Sequence, residues 1–162
     1  MFTLNATVRC IALITSIATL PMAVPTLQGS TPADDKEMRD YRLTMDKVQK
    51  YVAAATAMQA DAKSSQCLKE NNVSAAPTLD AFEKKFNNCP SAVAHVKDAG
   101  LAPREMMVMT AVLVGGVMMA GMKKAGQLPK YPAFISPENA AFIEKNAEKL
   151  APMLQPLMKP EK

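Results

Sequence analysis

Between Met106 and Met122 lie seventeen residues without a charge, and six of them are methionine. Thr110 is the polar residue of that run. Thioethers bind soft metals such as Cu(I), and an exported compartment is where methionine-rich copper sites operate. Met106, Met109, Met118 and Met122, with His95 as the chain's one histidine, are therefore the candidate ligand or metal set. The competing reading is that methionine, unbranched and adaptable, fills irregular gaps in a helical core. Here the methionines lie among Val and Leu at helical spacing, which favours the core. No C-x-x-C-H is present to attach a haem. No catalytic motif for acyl transfer, phosphate binding or zinc hydrolysis is present either, nor an E-x-x-H pair for a di-metal bundle. The sequence therefore predicts no enzyme, no resident cofactor and no assigned metal.

Cys67 and Cys89 form the second chemical pair. Their spacing fits neither a redox C-x-x-C nor a zinc knuckle. In an exported chain an even pair predicts one disulfide. It would close a loop of roughly 20 residues and contribute on the order of 3 kcal/mol. Export itself is predicted from residues 1–29. Arg9 precedes an apolar run from Cys10 to Leu20, followed by a polar, Pro-containing stretch, the layout of a signal peptide cleaved between Ala23 and Ser30. Removing that segment takes away Arg9 alone, so the net charge falls from +4 to +3. The expected location is periplasmic or secreted. A charge this diffuse, with no basic cluster interleaved with aromatics, argues against nucleic acid.

The elements that would position these residues are helices. Tryptophan is absent, aromatics make up 5% of the chain, and Ala and Met are common, a composition that favours helix over sheet. Met38, Tyr41, Met45, Val48, Val52 and Ala55 form one apolar stripe and predict a single long helix from about Asp34 to Asp61, opened at Thr31-Pro32 or Asp34. Residues 64–77 read as a loop. Thr78 caps a short helix in which Phe82 and Phe86 stack at i,i+4. A second short helix follows Cys89-Pro90, with Ser91 as a cap, and Gly100 ends it. Pro103 opens the methionine-rich helix at N1, although Ala102 offers no side-chain cap. It should run to about Ala125 and stop at Gly126. Ser136-Pro137-Glu138 starts a last helix, with Ile143, Ala147, Leu150 and Leu154 in register. Pro152, Pro156 and Pro160 predict an irregular tail from about residue 152, packed through Met153 and Leu157.

Three stretches, "YRLTMDKVQKY" (41–51), "AGLAPREMMVMTAVLVGGVMMAGMKK" (99–124) and "ISPENAAFIEKNAEKL" (135–150), together resemble a group of small exported bacterial helical proteins of unknown function. The similarity covers most of the chain after the signal and carries no catalytic motif. In that group a Thr precedes the Pro of the middle segment, which is more mixed in polarity; Ala102 and the methionines depart from it. The resemblance implies export and a helical fold.

Residues 106–122 also suit a membrane span in length, with Lys123 and Lys124 following as a stop-transfer flank. Yet the long helix and the Ser136 helix each carry one apolar stripe that must be buried, and a helix apolar nearly all round is what fills the centre of such an arrangement. The expectation is thus an all-α bundle of about four to five helices around a central apolar helix, spanning residues 30–162 as one domain. Its expected role is a non-catalytic binding or interaction module for an unidentified protein or small apolar ligand. The alternatives are a Cu(I) or apolar-ligand carrier, and a single-span membrane protein through 106–122. Gly115-Gly116 costs about 1 kcal/mol per glycine at mid-helix, so a close crossing or a kink is expected there.

Overall fold

A computed structural model describes residues 30–158. The expected signal segment 1–29, with Cys10, and residues 159–162, with Pro160, lie outside the described residues. The fold is all-α, with no strand among the described residues. In order, α1 is Pro32–Asp40, α2 Met45–Ala60, α3 Ala62–Glu70, α4 Leu79–Phe86, α5 Pro90–Asp98, α6 Pro103–Met109, α7 Gly116–Lys124 and α8 Pro137–Leu154. A π-helical segment, Thr110–Gly115, joins α6 to α7 into one rod. The elements outnumber the four or five expected because the predicted helix 34–61 is two helices, the predicted loop 64–77 is partly helical and the rod is divided by its π segment.

The predicted helix 34–61 is two helices. Thr31 opens α1 with a reciprocal box, its hydroxyl accepting from the Asp34 N–H at 3.1 Å while Asp34 accepts from the Thr31 N–H at 3.0 Å. The chain then extends through Tyr41–Thr44, and Thr44 caps α2 through the Lys47 N–H. What stabilises the break is remote in sequence. Asn139 of α8 is buried, accepts from the Leu43 N–H at 3.0 Å and donates to the Tyr41 carbonyl at 2.8 Å. These two bonds replace ladder bonds that an unbroken helix would have made.

The predicted loop 64–77 is largely helical. Asp61 terminates α2 and caps α3, accepting from the Lys63 and Ser64 N–H groups. The face α3 turns inward centres on Ser64, fully buried, whose hydroxyl reaches Asp61 and Ser91 of α5. A helix that docks through serine carries little apolar periodicity, so its pattern reads as loop. Ser91 accordingly spends its hydroxyl on Ser64, and α5 starts at Cys89 without a side-chain cap.

The last helix outruns its prediction as well. Pro152 lies inside α8, which continues to Leu154 before a 3-10 turn, Gln155–Met158. Leu150 and Leu154 are fully buried and Pro152 is exposed. Burial of that leucine pair offsets the bond that Pro152 removes.

Two helix ends match their glycines. Gly100 and Gly126 both adopt positive φ, +75° and +72°. Each closes the helix with paired bonds, Gly100 N–H to Lys97 O and Leu101 N–H to Val96 O in the first case.

The methionine-rich rod is central over its first half only. Met106, Met107, Val108, Met109, Val112 and Leu113 are buried, with α4 and α5 against α6, and α1 against α6 and the π segment. Beyond Gly115 the rod packs chiefly on α8, and only Gly116 and Met119 of α7 are buried. By length and composition Pro103–Lys124 would suit a membrane crossing, yet half of its apolar window is buried within the protein.

The close crossing falls on one glycine of the pair. A Cβ at Gly116 would overlap Ile143 Cδ1 of α8, whereas a Cβ at Gly115 meets nothing within 4 Å. Gly115→Ala is therefore expected to stabilise by roughly 0.5–1 kcal/mol through helix propensity. Gly116→Ala should destabilise, because overpacking a fully buried isoleucine costs about 1–3 kcal/mol. Adding Ile143→Val, which removes the overlapping carbon, should make the Gly116→Ala change less costly. Urea unfolding of the four proteins checks this; an equal response at the two glycines would refute the crossing.

Candidate apolar binding groove

Opposite the α8 crossing, the rod is left uncovered. The break after Glu70, where Asn72 takes a left-handed φ of 48°, sends the chain through the short 3-10 turn Val73–Ala75 before α4 begins. That path leaves a groove of about 720 Å³ between α2, α3, residues 73–77, α4 and the rod, with Leu157 of the last turn reaching its edge. The size is that of small-molecule sites, which run from roughly 300 to 1,000 Å³. Its walls are mainly apolar: Ala55 and Met58 from α2, Phe82 and Phe86 from α4, Met106 and Met107 from α6. Phe82 and Phe86 stack as expected, with ring centroids 5.2 Å apart.

The groove is not uniformly apolar. Tyr51, 5% exposed, meets Thr110 with 3.2 Å between the hydroxyl oxygens, joining α2 to the start of the π segment. Thr110 also donates to the Met106 carbonyl one turn back at 2.8 Å. A threonine bound to its i−4 carbonyl tends to bend a helix, and π turns often mark functional positions. Burial pushes the Tyr51 phenol up, so it stays protonated at neutral pH.

The wall formed by α3 is fixed covalently. Cys67 and Cys89 are disulfide-bonded with Cα atoms 5.7 Å apart. Asn71 Nδ2 lies 3.4 and 3.5 Å from the two sulfurs and donates to the Cys67 carbonyl at 3.0 Å. The bond ties the end of α3 to the start of α5, and so holds the segment that walls the groove.

No family model, curated protein or solved structure matches this chain. The groove is therefore read from its own geometry.

The predicted methionine set is dispersed over the fold. Met106 lines the groove, Met109 is fully buried, and Met118 and Met122 are half-buried on α7 outside the groove. His95 sits on α5 with Nε2 3.3 Å from Asp61 Oδ2. The Ser64 hydroxyl, together with the Lys63 and Ser64 N–H groups and His95, lowers the Asp61 carboxyl to about 2 against an opposing effect of burial. Asp61 thus receives both Ser64 and His95, which puts the carboxylate where a nucleophilic triad needs the imidazole. Among the described residues no group of three or more His, Cys, Asp or Glu side chains is placed to hold a metal ion.

Polar contacts missed by sequence reasoning clamp the opening of α6. Arg104 makes paired bonds of 2.8 to 3.0 Å to Glu37 of α1 and reaches Asp80 and Glu83 of α4. Glu37 and then Asp80 raise the guanidinium's pKa further. Glu105 accepts from Tyr41 at 2.7 Å and pairs with Lys47 at 3.2 Å. Burial and the Glu105 hydrogen bond push the Tyr41 phenol up. Burial pushes Glu105 up too, but the Tyr41 and Lys47 bonds outweigh it and hold the carboxyl below its usual range. These groups fasten the rod's N-terminus while the groove lies one turn further along.

Of the residues lining the groove, Met106 alone was a candidate site residue in the sequence; Tyr51, Met107, Thr110 and Ala111 were not among the candidates. Thr110 alone carried a signal, as the polar residue of an apolar stretch.

Proposed function

We propose that this protein is an exported, non-catalytic helical module that binds a small apolar molecule in the groove beside the methionine-rich rod. The observation carrying this reading is the groove itself: about 720 Å³, with five segments contributing apolar walls. Five elements converge on that space and leave it open. Methionine suits such a wall, since its thioether stem adapts to differently shaped ligands. The Cys67–Cys89 disulfide is consistent with an oxidising compartment, and the pattern of residues 1–29 points to export. The apolar rod is read here as the bundle's core helix, its buried half facing the other helices.

Titration with the apolar fluorophore N-phenyl-1-naphthylamine tests the proposal. A saturable rise with micromolar affinity is expected. Ala111→Trp, which fills the groove from the π segment, should weaken it at least about tenfold while leaving the helical circular dichroism unchanged. The chain has no tryptophan, so the new indole can also be followed directly. Absence of saturable binding, or equal binding by the filled variant, would overturn the reading.

A further inference from the structure

We infer that the molecule held in the groove carries a hydrogen-bond donor, a hydroxyl or an amide N–H, which it gives to Thr110 Oγ1. The inference deepens the binding reading above and rests on it. It follows from where the hydroxyl protons of the groove already go.

The Thr110 hydroxyl has one proton and two acceptor lone pairs. Its oxygen lies 2.8 Å from the Met106 carbonyl, a group that can only accept. The Thr110 proton is committed there. The longer contact, 3.2 Å to Tyr51, must then run from the phenol to Thr110. Tyr51 is protonated and nearly fully buried, so it has a proton to give. Ser65 on the α3 wall follows the same rule, donating to the Met58 carbonyl at 3.2 Å. Of the four hydroxyls that line the groove, those of Tyr51, Ser65 and Thr110 have spent their protons on the protein, while Ser74 is exposed.

Lone pairs are what remain. Thr110 is exposed and lines the groove, and one lone pair on its oxygen is left after Tyr51 is satisfied. A ligand carbonyl, ether or carboxylate arriving there would lose its water and meet another acceptor. A ligand hydroxyl would regain in the groove the bond it gave up to water. Buried groups discriminate by whether they can be paired, and an unpaired group is the larger effect. Gln59, Lys69 and Ser74 also border the groove, but Thr110 is the one hydrogen-bonded to the buried Tyr51 within the lining. The π segment beginning at Thr110 is thus the polar end of an otherwise apolar site.

Competition against bound N-phenyl-1-naphthylamine tests this, using 1-dodecanol and its isomer methyl undecyl ether. The two differ in the donor and share their atom count. The alcohol is expected to displace the probe at about tenfold lower concentration. Thr110→Val should remove that preference or turn it toward the ether, because Tyr51 then offers its own proton to the groove. Thr110→Ser and Tyr51→Phe should both keep the preference, since each retains an acceptor at Thr110's position, and they test the assignment should the valine variant fold poorly. Equal competition by alcohol and ether, or a preference lost in Tyr51→Phe or Thr110→Ser, overturns the donor assignment while bound probe still supports the groove. Failure of the probe to bind the unaltered protein overturns the groove reading itself.

Discussion

Asn139→Ala is expected to lower the unfolding free energy by about 2–4 kcal/mol, because it strands a buried backbone N–H and a partly buried carbonyl at once. The Leu43 N–H loses its acceptor and the Tyr41 carbonyl loses its donor. The Leu43 N–H cannot turn to water easily, since Leu43 is buried, whereas Tyr41 is half-buried. Nor can the chain recover by becoming helical through Tyr41–Thr44, because Thr44 already caps α2. Thermal unfolding by circular dichroism should show a drop on the order of 10 °C. Asn139→Asp keeps an acceptor for Leu43 but cannot donate to Tyr41, and should be destabilised as well. Asn146→Ala on the same helix is the control. Its amide only returns to the Phe142 carbonyl within α8, so a change within about 0.5 kcal/mol is expected. If the two alanine variants melt together, the break between α1 and α2 is not held by α8.

Removing the disulfide is the second large effect. Cys67 and Cys89 are 22 residues apart in sequence, and closing a loop of that length restricts the unfolded chain by on the order of 3 kcal/mol. The urea midpoint should therefore fall by about 1–3 M on reduction. A Cys67→Ala, Cys89→Ala double variant should behave like the reduced protein. Alkylation followed by intact mass measurement of the protein without residues 1–29, and so without Cys10, checks the state directly: no thiol should be modified before reductant is added, and the pair after. Probe binding should weaken along with stability, because the bond fixes α3, whose Ser65 and Leu68 face the groove. Loss of stability without loss of binding would show that the α3 wall is held by its other contacts, the Ser64–Asp61 and Ser64–Ser91 bonds.

The two predictions bear on different kinds of information. The disulfide follows from counting cysteines in a chain read as exported. Asn139 carries no such mark. It is one polar residue in the first turn of a helix whose start was legible from Ser136-Pro137, and its partners lie 96 and 98 positions away. The same contrast runs through the groove. Phe82 and Phe86 were placed by their i,i+4 spacing, as was the methionine-rich rod by its unbroken apolarity. Tyr51 was missed because the stripe traced through Tyr41, Met45 and Val52 assumed one continuous helix. With α2 starting afresh at Thr44, the buried face keeps Val48 and Ala55 of that stripe and adds Tyr51, Ala54 and Met58. A helical stripe read across an unrecognised break misplaces the centre of the buried face beyond it.

The sequence alone determined what depends on neighbours a few residues away. Those are the all-α class, the caps at Thr31, Thr78 and Ser136, the glycine stops at Gly100 and Gly126, and the pairing of two cysteines. Tertiary structure decided the rest. It placed the close crossing at Gly116 rather than Gly115, let α8 run through Pro152, and divided the methionines between a buried core, a groove wall and an outer edge. It also set the Tyr51 hydroxyl beside Thr110. Local signals act through backbone geometry over one or two turns, whereas a groove is the space left between elements, and its shape depends on where every one of them packs.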